Sequence, residues 1–327
     1  MVEGTNQSAA RLVDLHRHLR ALLRRQGKRY RRNLKRSRQE FSAAAVHDLR
    51  VSLRRLLATM ELLGHFLPAR RAEKSRRTLK RQLDAFDELR DLQVQLARLV
   101  DLPQPERAAR SFRAFLRRQE RKEIAKARRA VCRFSSRRIA RTAAELEAEL
   151  RERPEARAAT DLAALVRRAN AAFARVGQLR AKIDPADSDT IHCTRVAFKG
   201  FRYAVEALAP LLPEVTPQRL RAMRAYQNWM GDIQDATVLG RSAGKFARKK
   251  LDPKTGEQLR AQLERARRRL VRRYLKAADR LHAFGPLELA SVSAPPGPRA
   301  KDEDDRPHPA TPPESHEPVP APPRHRR

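Results

Sequence analysis

Apolar residues recur along the chain at alternating steps of three and four, which is the spacing of one buried face of an α-helix. Between residues 8 and 284 glycine is scarce, strand-like alternation is absent, and Ala, Leu, Arg, Glu and Gln dominate. Prolines separate the periodic stretches. The pattern predicts eight helices, near residues 8–38, 42–66, 70–101, 105–150, 158–182, 188–209, 217–248 and 253–283. Phe-Ser-Ser at 134–136 is a weak point that could divide the fourth of them into two helices.

The same helical pattern occurs twice. HDLRVSLRRLLATMELL begins at residue 47 and HCTRVAFKGFRYAVEAL at residue 192, an offset of 192 − 47 = 145. LRDLQV at 89–94 and IQDATV at 233–238 follow at an offset of 144. Self-similarity at one long period indicates a duplicated unit. We therefore expect an all-α fold of two antiparallel four-helix bundle units related by a pseudo-twofold axis, with repeat one at about 8–150 and repeat two at about 158–284.

The chain is strongly basic. It contains 73 Lys and Arg and 38 Asp and Glu, which gives a formal net charge of +35. Such a chain repels itself unless a polyanion is near, so we expect a nucleic acid, polyphosphate or an anionic membrane face as its partner. The segment 287–327 is rich in Pro, Ala, Ser, Asp and Glu, and we expect it to be a disordered tail. Its charges balance, so the positive excess lies on the helical body.

No secretory signal or membrane-spanning stretch is visible, and the two cysteines, Cys132 and Cys193, form no CxxC motif. We expect free thiols and a soluble, cytoplasmic protein that does not enter a membrane.

Basic residues follow the apolar rhythm of the second and sixth predicted helices, one position later. One residue corresponds to about 100° of rotation, so each helix has a basic stripe directly beside its buried seam. Like charges stacked in this way destabilise a helix unless an anion neutralises them, and two such stripes predict a basic groove. The residues are His47, Arg50 and Arg54 in the first helix and His192, Arg195, Lys199 and Arg202 in the second.

These motifs resemble the CHAD family, the conserved-histidine α-helical domain. HDLRVSLRR at 47–55 and HCTRVAFKGFRY at 192–203 resemble its two signature helices, and LRDLQV and YQNWMGDIQDATV (226–238) its paired Asp-bearing segments. The resemblance covers residues 8–284. It implies one domain of two pseudo-symmetric four-helix units that binds inorganic polyphosphate in a central basic groove. It further implies association with polyphosphate granules, and as partners granule-associated proteins or a triphosphate-tunnel enzyme.

Carried over by position, the resemblance assigns polyphosphate binding to the seven stripe residues and adds Lys80 and Arg224. The first repeat departs from the pattern, with Leu57 in place of Arg202 and Asp87 in place of Gly231. The basic face of the first helix could compensate for its shorter stripe. That face comprises Arg17, Arg20, Arg24, Lys28 and Arg31.

Several roles stay open at this point. His47 and His192 fit direct phosphate contact, a hydrogen-bonding role or metal ligation, although no cluster with metal-ligand spacing surrounds them. The arginines and Lys199 fit internal salt bridges as well as anion binding. Asp91, Asp232 and Asp235 are expected to orient neighbouring basic groups, with a divalent cation bridging carboxylate and phosphate as the other interpretation.

We expect a binding protein without a cofactor and not an enzyme, because no phosphate-binding loop, GxGxxG or catalytic triad pattern is present. The first alternative is a nucleic-acid-binding or nucleoid-associated protein, against which the low aromatic content, 5%, argues. The second is a phosphohydrolase or phosphotransferase with His47 or His192 as the nucleophile.

Overall fold

Ten α-helices and four short 3₁₀ turns form the part of the chain that the computed structural model describes, residues 15–99 and 106–289, with side chains for all but 106 and 107. These residues contain no strand, so the all-α prediction is confirmed. Repeat one contains α1 Leu15–Gln39, α2 Ala43–Leu63, α3 Ala69–Asp84, α4 Asp87–Arg98, α5 Glu106–Arg133 and α6 Arg137–Glu152. Repeat two contains α7 Ala158–Arg180, α8 Ser188–Leu208, α9 Pro217–Lys250 and α10 Pro253–Lys276.

Two predicted helices are each divided in the structure. The segment 105–150 breaks at residues 134–136, as the Phe-Ser-Ser sequence indicated. The segment 70–101, predicted as one helix, is two helices because the chain turns at Ala85 and Phe86 to place the Phe86 ring in the core. In repeat two the corresponding α9 runs through 34 residues without a break. The predicted residues 8–14 lie outside the described part.

Helices α2 and α8 are the duplicated pair, and both their first and last residues differ by 145. Each begins at a capping side chain, since Ser42 accepts a hydrogen bond from the N–H of Ala45 and Asp187 from that of Asp189. The apolar seams predicted for them are buried. Those residues are Val46, Leu49, Leu53, Leu56, Met60 and Leu63 in α2, and Ile191, Thr194, Phe198, Phe201, Val205 and Leu208 in α8.

The two repeats share one hydrophobic core, because α2 packs directly against α8 and α1 and α2 also contact α7. A buried polar contact marks the place where they meet. His16 and Asp161, which are 145 residues apart, hydrogen-bond at 2.8 Å, and Arg153 donates to both oxygens of the same carboxylate. Burial raises the pKa of Asp161, but the hydrogen bonds from Arg153 and His16 outweigh this and hold it below its usual value.

A smaller core joins α4 and α5 to α9 and α10 and contains Leu92, Leu96, Phe112, Phe246 and Leu259. The rings of Phe112 and Phe246 lie 5.1 Å apart within it. This core holds α4 beside α9, and it thereby sets where the polar residues at the start of α4 lie.

The folded part of the chain extends past residue 286. Leu287 is buried, and its backbone N–H and C=O both hydrogen-bond to the side chain of Asn170. The predicted tail boundary at 287 is therefore corrected, because this residue packs on α7; the remainder from residue 290 lies outside the described residues. Cys132 and Cys193 are free and exposed. Each helix that the structure describes is too short or too polar to cross a lipid bilayer.

Candidate functional site: a cation cluster between the repeats

The basic stripes of α2 and α8 lie close enough to affect each other's charge. After burial, the groups that most strongly lower the pKa of Lys199 are Arg54, Arg195 and Arg50. Arg54 and Lys199 occupy equivalent positions of the two repeats, as do Arg50 and Arg195. The pseudo-twofold arrangement therefore brings together four cations that are far apart in the sequence.

A fifth cation joins them from α4. Arg90 is one of the charges that lower the pKa of both Arg50 and Arg195. The sequence analysis did not single it out, because its counterpart in repeat two, at 90 + 144, is the neutral Gln234. Its place directly before Asp91 in LRDLQV was the available signal. We call Arg50, Arg54, Arg90, Arg195 and Lys199 the central cluster.

The cluster is desolvated and carries like charges at close range, and both effects disfavour protonation. Burial, followed by Arg54, lowers the pKa of Lys199 from 10.5 to about 7. Burial likewise lowers the pKa of Arg50 to about 10, and that of Arg195 below its usual range. Asp87 raises the pKa of Lys199, but burial and the three arginines outweigh it. The positive charges of the central cluster are therefore incompletely neutralised.

The acids around the cluster are few and unevenly placed. The charged groups that most strongly favour protonation of Arg50 and Arg195 are Asp87, Asp91 and Asp235. Burial raises the pKa of Asp87 and of Asp91, because a desolvated carboxylate is costly to ionise.

Equivalent arginines have different partners in the two repeats. Arg50 donates to the carbonyl of Phe86 and lies 3.5 Å from a carboxylate oxygen of Asp87. Arg195 instead lies over Gly231, the counterpart of Asp87, where an added Cβ would be 3.6 Å from its Nε. That Nε is buried without a hydrogen-bond partner. The Nε of Arg50 is also buried without a partner, so the two arginines differ in the acid beside them, which is Asp87 for Arg50 and Asp235 for Arg195.

The two signature histidines occupy different environments. His192 is half-buried beside Gln234, and burial, followed by Arg195, lowers its pKa. Its Nδ1 atom is buried and has no hydrogen-bond partner. His47 is exposed at the surface of α2. Direct phosphate contact by either ring remains a prediction.

Three basic residues predicted to bind phosphate already have carboxylate partners. Arg202 is buried, donates to Glu206 and, at 2.9 Å, to Gln227, and stacks on the ring of Tyr203. Arg224 lies 3.1 Å from the same Glu206, and Lys80 is 3.1 Å from Asp84 on its own helix. The alternative of internal salt bridges describes these contacts, and phosphate binding by these three residues stays a prediction.

The three aspartates predicted to orient basic groups do not act alike. Asp232 accepts from Arg98, and Asp235 lies 3.5 Å from it, so these two carboxylates tie α9 to α4. Asp235 is also the acid that most favours the charged form of Arg195. Asp91 is exposed beside Asp87 and Arg90.

Part of the basic face of α1 contacts α6 and not the central cluster. Arg24 donates to Glu147 of α6, and Arg20 also acts on that carboxylate. Lys28 and Arg31 are exposed. None of the α1 residues is among the groups that most strongly shift the pKa of Arg50, Arg195 or Lys199, and the proposed compensation by Arg17 and the others remains a prediction.

Within the described ranges, no three His, Cys, Asp or Glu side chains are grouped so that they could hold a metal ion.

Comparison with known proteins assigns the family. The family model described as the CHAD domain matches residues 21–244. The chain belongs to the CHAD family. Among solved structures, the CHAD chain is similar to PptA from Streptomyces chartreusis, with a TM-score of 0.60 and 23% identity over 82% of this chain and 98% of that one. It is also similar to the CHAD domain from the plant Ricinus communis, with a TM-score of 0.55 and 21% identity over 83% and 90% of the two chains. At these identities the structural likeness concerns the fold. The comparison with curated proteins gave no significant match.

Proposed function

We propose that this CHAD protein binds inorganic polyphosphate at the central cluster. The observation that carries the proposal is the joint depression of the pKa values of Arg50, Arg195 and Lys199 by burial and by one another. Such a cluster is costly in the free protein, and a chain of phosphates lying against it would relieve that cost.

Binding replaces the counterions of the polymer with protein cations. Arg195 offers N–H donors to the non-bridging oxygens of the phosphates. Arg50, which is buried and donates to Phe86, adds positive charge, as does Lys199. The counterions released make the affinity fall steeply with salt, as they do for nucleic acids. No phosphoryl transfer is required, and we propose binding without catalysis and without a cofactor.

Polyphosphate is favoured over nucleic acid because the cluster offers no base-stacking surface. Phe198, Phe201 and Tyr226 are buried in the core. The half-buried rings of Tyr203 and Trp229 are covered by Arg202 and Arg280. A ligand that presents phosphates alone needs no aromatic platform, whereas single-stranded nucleic acid binders generally use one. Polyphosphate granules in the cytoplasm, with their associated proteins or a triphosphate-tunnel enzyme, are the corresponding cellular setting.

The test is titration with long-chain polyphosphate and with duplex DNA at about 0.1 and 0.4 M salt, on the wild type and on Arg195→Gln with Lys199→Gln. We expect the double variant to bind polyphosphate at least about tenfold more weakly, since two of five clustered cations are removed. The matched control is Arg269→Gln with Arg272→Gln, which removes the same charge from exposed positions of α10.

Equal losses in the cluster variant and the control would refute the assignment of the site, because net charge alone would then explain binding. Parallel collapse of polyphosphate and DNA binding at the higher salt would instead identify a nonspecific basic surface.

A further inference from the structure

A second concentration of positive charge lies in repeat one, on a cavity of about 480 Å³ between α3 and the junction of α5 with α6. Phe134 and Ser135 of the junction line it, as do Thr78 and Gln82 of α3. No carboxylate lines it. Five guanidinium groups do, and we call them the arginine pocket: Arg81, Arg133, Arg137, Arg138 and Arg141.

These five arginines differ from the arginines that have a carboxylate partner on their own helix. Many arginines elsewhere pair with Asp or Glu three or four residues away on the same helix, as Arg76 and Arg77 do with Glu73. Within the described residues, no side chain of the arginine pocket forms an ion pair or a hydrogen bond. Five like charges around one cavity repel each other, and a bound anion would reduce that repulsion beyond what solvent and salt achieve.

The junction that forms one wall of the cavity is held in place by buried groups. Gln82, which is 5% exposed, accepts a hydrogen bond from the hydroxyl of Tyr30 at 2.7 Å and donates to the carbonyl of Ser135 at 3.3 Å. Arg38 of α1 donates to the carbonyls of Val131 and Phe134. The Phe134 ring packs edge-on against Phe86 at 5.8 Å. The cavity is therefore built before a ligand arrives, which lowers the entropic cost of binding.

The cavity also receives the amino-terminal end of α6, a helix of 16 residues. Its first turn contains Arg137 and Arg138 and no acidic residue, and the side chain of Ser136 does not cap it. The N–H of Arg137 donates to the Ser135 hydroxyl at 3.4 Å. Cations at this end oppose the helix dipole, whereas an anion there is favoured by the dipole. The arginines and the helix end therefore favour the same kind of ligand.

The pocket is separate from the central cluster. Phe86 lies between them, with its ring against Phe134 and its carbonyl accepting from Arg50. No arginine of the pocket is among the groups that most strongly shift the pKa of Arg50, Arg195 or Lys199. Repeat two has the 3₁₀ turn Ala278–Phe284 where repeat one has α6, so the described part of repeat two has no copy of this helix end.

We propose that the arginine pocket is a second, independent binding site for a compact oligophosphate, a linear chain of a few phosphates. Such a ligand carries several charges in a small volume and matches the five arginines that line the cavity. It could be a free oligophosphate or a stretch of a longer polyphosphate. The site does not depend on the function proposed for the central cluster.

The experiment is calorimetric titration of the full chain with sodium tripolyphosphate. The pocket variant is Arg137→Gln with Arg141→Gln, the cluster variant is Arg195→Gln with Lys199→Gln, and the control is Arg269→Gln with Arg272→Gln. Both pocket positions are exposed, so these substitutions should leave the fold intact, which circular dichroism verifies. We expect two binding events in the wild type and in the control, and loss or at least about tenfold weakening of one event in the pocket variant.

The pocket proposal is overturned if the pocket variant binds tripolyphosphate with the stoichiometry and affinity of the control. If the pocket variant loses a binding event and the cluster variant does not, the pocket proposal is supported and the central site is refuted. If only the cluster variant loses an event, the central site is supported and the pocket proposal is refuted. A second titration of the same variants with long-chain polyphosphate identifies the source of the ligand. If the pocket variant binds both ligands more weakly, the pocket holds a segment of the polymer. If it binds only tripolyphosphate more weakly, the pocket holds a free oligophosphate.

Discussion

Lys199 makes the proposed site sensitive to pH, and replacing it tests the electrostatic argument directly. Burial, and then Arg54, Arg195 and Arg50, lower its pKa from 10.5 to about 7, while Asp87 opposes the shift and Glu61 also lies close enough to interact. A bound phosphate chain would favour the ammonium form and return its pKa towards the ordinary value. Binding would then take up a proton, so that the affinity is highest below about pH 7 and falls as the pH rises above it.

The size of the effect follows from the two pKa values. The difference between 10.5 and about 7 corresponds to about 5 kcal/mol against charging Lys199 in the free protein, an upper bound that water around the half-buried amine reduces. If the bound form regains the full value, linkage predicts about fiftyfold weaker binding at pH 9 than at pH 7. His192 titrates below this window, because its pKa is lowered from 6.5.

The assay is polyphosphate affinity at constant ionic strength between pH 6 and 9.5, for the wild type, Lys199→Gln and Lys199→Arg. Internal phosphates of a long chain are strong acids, so the charge of the polymer stays nearly constant. Lys199→Gln should bind about tenfold more weakly at pH 7 and then show little further loss, whereas Lys199→Arg should keep its affinity at pH 9. Parallel pH curves for the wild type and Lys199→Gln would refute the reasoning.

Three further predictions follow from the unequal repeats, their shared core and the tail. Gly231→Asp places beside Arg195 the carboxylate that Asp87 provides for Arg50, and should weaken polyphosphate binding about tenfold relative to Gly231→Ala in the same titration; equal affinities would contradict the asymmetry. Asp161→Asn removes a buried partner of His16 and Arg153 and should lower the free energy of unfolding in urea by about 3 kcal/mol at pH 7. Because the pKa of Asp161 is depressed, that difference should shrink as the pH falls through the acid range, and a constant difference would speak against the ion pair. Deleting residues 290–327, which contain six Lys or Arg and six Asp or Glu, should leave polyphosphate affinity within about twofold, and a large loss would place the tail at the site.

The helices and their duplication could be read from the sequence because both depend on local rules. Apolar spacing identified the seams of α2 and α8, and repetition of His, Arg and Lys one position later identified the residues that lie beside those seams. The break at 134–136 was visible in its composition. The break at Ala85 and Phe86 was not visible in the sequence, because burial of the Phe86 ring in the core outweighs the helix propensity of the neighbouring residues.

The contacts that each basic residue makes with a neighbouring helix could not be predicted from the sequence. Arg195 and Arg202 lie two turns apart on one stripe, yet Arg195 lies over a glycine with its Nε unpartnered, and Arg202 is enclosed by Glu206, Gln227 and Tyr203. Glu206 and Tyr203 lie on α8 itself, close to Arg202 in the sequence. Which residue of α9 faces each arginine, Gly231 or Gln227, depends on the packing of two helices.

The sequence by itself determined an all-α chain with a twofold internal repeat, a large positive excess and two basic stripes beside buried seams. Tertiary structure alone decided that Arg90 joins Arg50, Arg54, Arg195 and Lys199, and that five arginines surround a separate cavity at the α5–α6 junction. Propensity and periodicity act over a few residues, whereas the pKa of a buried cation depends on charges that folding brings close from anywhere in the chain.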